Sequence, residues 1–101
     1  MTDWLKWFDS LRQDEWERVS IIVDRSAELG PRARMPLSRS LGDGLFELRF
    51  TLGSTARRIT YRFTSKGQLI LLTTFRKQRN NERVEVARAR KIAADCAKRF
   101  P

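Results

Sequence analysis

Basic side chains are the only groups in this chain dense enough to do chemistry. After the apolar run QLILLTTF, Arg76, Lys77, Arg79 and Arg83 fall within eight positions, and Arg57, Arg58, Arg62 and Lys66 precede it. Between Arg57 and Arg79 there are seven Lys/Arg and no acid. Histidine is absent, which removes the commonest general base, the Ser-His and Cys-His nucleophile arrangements and imidazole metal ligation. One cysteine, Cys96, and the four acids of residues 45–101 offer no metal-ligand spacing, and no GxGxxG or Walker sequence occurs. Neither a metal nor a cofactor is expected. Guanidinium and ammonium groups are suited to holding phosphate through charge-assisted bonds and to stabilising charge on a phosphorane. An RNA strand supplies its own nucleophile, the 2′-hydroxyl, so positioning and charge stabilisation do much of the work of cutting it. Two proton-transfer groups are available in that half: Glu47, and a lysine whose pKa falls when like charges crowd it.

These side chains need strands to bring them together. In LFELRFTL, Phe46, Leu48, Phe50 and Leu52 share one face, and Glu47, Arg49 and Thr51 share the other. In RRITYRFT, Ile59, Tyr61 and Phe63 alternate with Arg58, Thr60 and Arg62, which makes Tyr61 a core residue. Gly53-Ser54-Thr55 and Ser65-Lys66-Gly67 read as turns. QLILLTTF is apolar on both faces, as a central strand would be. The result is an antiparallel meander whose uncovered face carries Arg49, Arg58 and Arg62 beside Glu47. Arg76, Lys77 and Arg79 form its rim, and Arg57 is a further RNA contact.

Helices flank the meander. Thr2 caps a first short helix with Trp4, Leu5, Phe8 and Leu11 at helical spacing. A second runs from about Asp14 to Leu29, with Trp16, Val19 and Val23 plus Ile22 or Ala27 on one stripe, and Gly30-Pro31 stops it. The two should pack as an antiparallel pair. Residues 31–44, PRARMPLSRSLGDG, read as a solvated loop whose Arg32, Arg34 and Arg39 could also touch phosphate. A last helix, capped by Asn80 or Asn81, runs to about Arg99. Its thin stripe comprises Val86, Ala89, Ala93, Cys96 or Ala97, and Phe100, with Cys96 as a small buried hydrophobe.

With 101 residues, 41% hydrophobic content and no disulfide framework, the chain is expected to form one domain over residues 1–101. No apolar stretch approaches the ~20 residues that cross a bilayer, and the N-terminus lacks a signal-peptide pattern, so a cytoplasmic protein without membrane contact is expected. The net charge of +9 is uneven: residues 1–44 hold seven Lys/Arg against eight Asp/Glu, and residues 45–101 hold fourteen against four. Such asymmetry attracts a polyanion, most often nucleic acid. The same pattern fits a basic face docking an acidic protein, or a non-catalytic nucleic-acid-binding module or phage-derived regulator.

Over roughly residues 14–97 the chain resembles the phage Gp49-like and HigB-like branch of the RelE toxin superfamily. The resemblance rests on GPRARMPLSRSL, GDGLFELR, a short turn, RRITYRF, an apolar strand ending in Phe75-Arg76-Lys77, and a helix with VEVARAR. It implies an α+β fold: two N-terminal helices packed on a three- to four-stranded, mainly antiparallel sheet, with a C-terminal helix. It implies a type II toxin similar to ribosome-dependent, metal-independent endoribonucleases, whose substrate is mRNA on the ribosome. Its partner would be a cognate antitoxin, expected to be a helix-turn-helix protein. By position, Arg49, Arg58 and Lys77, with Arg76 adjacent, fall where such toxins keep catalytic cations. Arg57, Arg62, Arg79 and Glu47 are the RNA-binding residues expected beside them. Glu47 stands where some relatives have lysine, and no tyrosine or histidine occupies the C-terminal segment. Relatives usually begin with a strand, for which Met1 to Asp3 leave no room.

Overall fold

Alternation of apolar and polar residues builds the centre of the molecule, and the computed structural model describes residues 3–30 and 38–101 of it. Thr2, Arg32 and Arg34, and the side chains of Trp4 and Leu5, lie outside what is described. The order is α1 (Asp3–Asp9), α2 (Gln13–Leu29), β1 (Ser38–Gly42), β2 (Leu45–Leu52), β3 (Thr55–Phe63), β4 (Leu69–Arg76) and α3 (Glu82–Arg99). The strands form one antiparallel sheet in the order β1-β2-β3-β4. The fold is therefore α+β, with four strands where the meander alone predicts three.

The additional strand, β1, lies inside the stretch expected to be loop. Its sequence, SRSLG, has no β-branched residue, and strand propensity does not reveal it. The turn after it does carry a signal: Asp43 and Gly44 have φ of 53° and 77°. Paired positive φ is the requirement of the two-residue hairpin for which Asp-Gly is a preferred sequence. The β2–β3 hairpin uses Gly53 at φ 59° followed by Ser54.

Both faces of the sheet are covered. On one, Phe46, Leu48, Phe50, Leu52, Ile59 and Tyr61 bury together with Val19 and Ile22 of α2, and Trp7, Phe8 and Leu11 pack against them. Burial on α2 follows Val19, Ile22 and Ser26, while Trp16 remains 40% exposed with its ring 5.5 Å from that of Phe8. On the other face, Leu45 and Leu72 bury with Ala89 and Cys96 of α3, flanked by Ile70 and Ile92. The polar face of the meander is thus not uncovered, because α3 lies over part of it. Leu45 has the same alternation as Glu47 and Arg49 and gives α3 an apolar landing place.

Three further expectations need correction. β4 is an edge strand, apolar on both faces because α1 and α3 both contact it. Phe100 is 56% exposed rather than buried, because the helix ends at Arg99. Asn81 precedes α3 without capping it through its side chain. Its amide instead donates to the Arg76 carbonyl at 2.9 Å and accepts from the Gln78 N–H at 2.9 Å, which ties the β4–α3 connector to the strand end.

Candidate phosphate-binding cleft

Arg49 and Arg58 are direct partners across β2 and β3, and Glu47 is the partner of Thr60 two residues away on the same face. Like charges placed opposite each other across strands repel. Glu47 offsets that repulsion: its Oε1 lies 3.7 Å from Arg49 Nε and 3.8 Å from Arg58 Nε. Arg58 is 8% exposed and donates to the Arg57 carbonyl at 3.1 Å, whereas the Arg49 side chain keeps 41% of its surface in solvent. Below them Thr60 and Thr73 join hydroxyls at 2.5 Å with no surface exposed.

Glu47 itself has no exposed surface, and neither carboxylate oxygen makes a hydrogen bond. Burial pushes its pKa above the ordinary carboxylate value, and the charge of Glu82 at the start of α3 adds to the rise. Arg58, Arg49 and Arg39 oppose it. Glu47 acts on the surface through the arginines it holds and cannot itself touch a bound strand.

The pair opens onto a cleft of about 630 Å³ lined by Arg18, Ser38, Arg39, Arg49, Phe50, Thr51, Ala56 and Arg58. Four guanidiniums, from α2, β1, β2 and β3, therefore line one cleft. Ser38 is fixed at its edge by a 2.5 Å hydrogen bond to the Tyr61 hydroxyl, and Tyr61 is 3% exposed and stacked on Phe46 at 5.4 Å. Tyr61 is core, as alternation predicts.

The other expected site residues divide. The Lys77 N–H bonds the Ala56 carbonyl at 2.8 Å, so Lys77 stands beside a wall residue of the cleft, with its Nζ donating to the Gln78 carbonyl at 3.0 Å. Arg79 is exposed in the connector and does not line the cleft. Arg57 and Arg76 are register partners on the opposite face. There the Arg57 guanidinium lies 4.4 Å from the centre of the Trp7 ring and donates to Thr74 Oγ1 at 2.7 Å. Burial lowers the Arg57 pKa, and the neighbouring charge of Arg76 lowers it further. Adjacent residues of a strand point to opposite faces, and Arg57, packed against Trp7, does not line the cleft that Arg58 lines. The expectation that Arg57 and Arg76 join the polar surface is corrected on that ground. Arg62 lies on the expected face but is engaged by α3: it donates to the Phe100 carbonyl at 2.6 Å and meets Cys96 Sγ at 3.5 Å.

Arg18 is not among the expected site residues, and Arg39 is expected only as part of a loop that could touch phosphate. Arg18 is an ordinary solvated charge in the helical pattern and gives no sequence signal. Arg39 became legible only with β1, whose Asp43-Gly44 turn sets it opposite Glu47. What the cleft can do is bind a phosphate bidentately and stabilise added negative charge, because arginine stays protonated and its planar fork matches phosphate oxygens.

Among the described residues no helix is long and apolar enough to cross a membrane. Neither a curated protein nor a solved structure matches the chain. The sequence pattern of the family described as Phage derived protein Gp49-like matches residues 6–95, a span that takes in α2, the whole sheet and most of α3. The chain belongs to this phage-derived Gp49-like family.

Proposed function

We propose that the protein is the toxin of a type II toxin-antitoxin pair and an endoribonuclease acting on mRNA at the ribosome. The observation that carries this reading is the Arg49–Arg58 pair, held by buried Glu47 and opening onto a cleft with Arg18 and Arg39. The family supports the toxin and the antitoxin partner, since Gp49-like proteins fall in the RelE/toxin-like group. In the proposed reaction the 2′-oxygen attacks the adjacent phosphorus and the bond to the 5′-oxygen breaks. The products are a 2′,3′-cyclic phosphate and a 5′-hydroxyl, and the proton lost by the nucleophile is balanced by one gained by the leaving oxygen. Arg49 and Arg58 hold the non-bridging oxygens as charge builds, and Lys77 stands at the leaving side. The ribosome supplies strand alignment, and a helix-turn-helix antitoxin silences the protein.

A second reading, a non-catalytic RNA-binding module, is favoured by one feature: Glu47 is sealed from the cleft, so the cleft offers cations without an exposed carboxylate. Primer extension on mRNA from cells making the protein separates the two. Cuts inside translated codons are expected, falling about 10²- to 10³-fold in rate with Arg58→Ala, the size of effect seen when one preorganised donor is removed. An uncut transcriptome in cells holding folded wild-type protein overturns cleavage and leaves the binding module.

A further inference from the structure

Arg39 does not line one cleft only. A second cleft of about 410 Å³, between β1 and the first half of α3, is lined by Arg39, Leu41, Glu82, Arg83, Val86, Ala87 and Arg90. Arg39 is thus the shared wall between the Arg49–Arg58 cleft and the N-terminal half of α3. It is exposed and set opposite Glu47 across the β1–β2 ladder, and its side chain has no hydrogen-bond partner among the described residues. Arg83 is likewise exposed, while Arg90 is held as part of the wall by donating to the Leu41 carbonyl at 2.6 Å, with Asp43 at 3.8 Å. Glu82 is the one acid lining either cleft.

We propose that Arg39 joins these clefts into one track, over which a single RNA strand runs from Arg49 and Arg58 across β1 to Arg83. The inference rests on the RNA reading above and adds to it a direction of travel and two contacts, Arg39 and Arg83. A flexible polyanion suits this layout better than a folded acidic partner. The cations line two concavities that meet at Arg39 rather than one patch, and each fork can take one phosphate. Contacts of this kind set affinity and register without reading sequence.

The test is fluorescence anisotropy on the full chain with labelled 2′-O-methyl RNA, which has no free 2′-hydroxyl and cannot be cut. Probes of about 12 and about 3 nucleotides bracket the track, since extended single-strand sites span roughly 4–16 nucleotides. Arg39→Ala is expected to weaken the longer probe about tenfold and to flatten the plot of log affinity against log salt by about one unit. Arg83→Ala should weaken the longer probe severalfold and leave the shorter one unchanged. Arg25→Ala, an exposed α2 arginine outside both clefts, is the charge control, and circular dichroism confirms folding. If Arg39→Ala behaves like Arg25→Ala while Arg58→Ala abolishes binding, the track is wrong and the Arg49–Arg58 site stands. If Arg39→Ala and Arg83→Ala behave as expected but no mRNA is cut in cells, the track stands and cleavage falls. If the wild-type chain binds neither probe, both fall.

Discussion

Arg49 and Arg58 face each other across two strands with the buried carboxylate of Glu47 within 3.7 and 3.8 Å of their Nε atoms. Two cations that would repel are held together by an anion hidden from solvent. Arg49 keeps much of its guanidinium open to the cleft, while Arg58 spends one terminal nitrogen on the Arg57 carbonyl. An exposed acid in that position would compete with phosphate; Glu47 orients the guanidiniums without presenting its own charge at the surface.

The cost of that arrangement sets a pH dependence. Glu47's folded pKa is raised, first by burial and then by Glu82. The folded state therefore holds the proton more tightly than the unfolded chain. The contribution is fully present below the ordinary value of 4.5 and is lost as pH rises through the raised folded value. Glu47→Gln removes the titration. Urea midpoints should show the Gln variant gaining on wild type between pH 4 and pH 7; a pH-independent difference would place the proton elsewhere.

The β1–β2 turn positions Arg39 and is sensitive to backbone strain alone. Gly44 has φ 77°, and no atom lies within 4 Å of where a Cβ would stand. Gly44→Ala therefore meets no clash and only the left-handed penalty, about 1–2 kcal/mol. A urea titration should show that loss, together with faster amide exchange in Ser38–Gly42. Unchanged exchange in β1 would mean that the turn does not hold the strand.

Arg62 fastens the end of α3. Arg62→Ala deletes the 2.6 Å bond to the Phe100 carbonyl and the contact with Cys96 Sγ. A stability loss of about 1–2 kcal/mol is expected, as for a hydrogen bond with a charged donor. Cys96, 7% exposed, should then react faster with a thiol reagent. Equal thiol reactivity in the two proteins would show that the helix end is held by its apolar stripe alone.

Much of this architecture was legible in the residues. Strict alternation in LFELRFTL and RRITYRFT determined which side chains share a face and put Arg49 and Arg58 on the same one, while their direct pairing follows from the register. The hidden parts have physical reasons. SRSLG lacks strand formers, and the Asp43-Gly44 signal was absorbed into a stretch read as loop. The reach of α3 over the polar face was encoded in Leu45, Ile70 and Leu72, three apolar residues with the wrong alternation for a solvated surface. Arg57 was read by charge when its position in the pleat decided its fate, packed against Trp7 instead of lining the cleft.

Arg57 and Arg58 are neighbours in the chain that face opposite ways. A one-residue shift of β3 against β2 would exchange their destinations beside the Gly53-Ser54 turn. Farther along, a one-step slip of the whole strand would drive Ile59 and Tyr61 outward and Thr60 into the oily interior. Length changes are therefore tolerable in the connectors and forbidden within β3, where this family's drift should be confined to substitution.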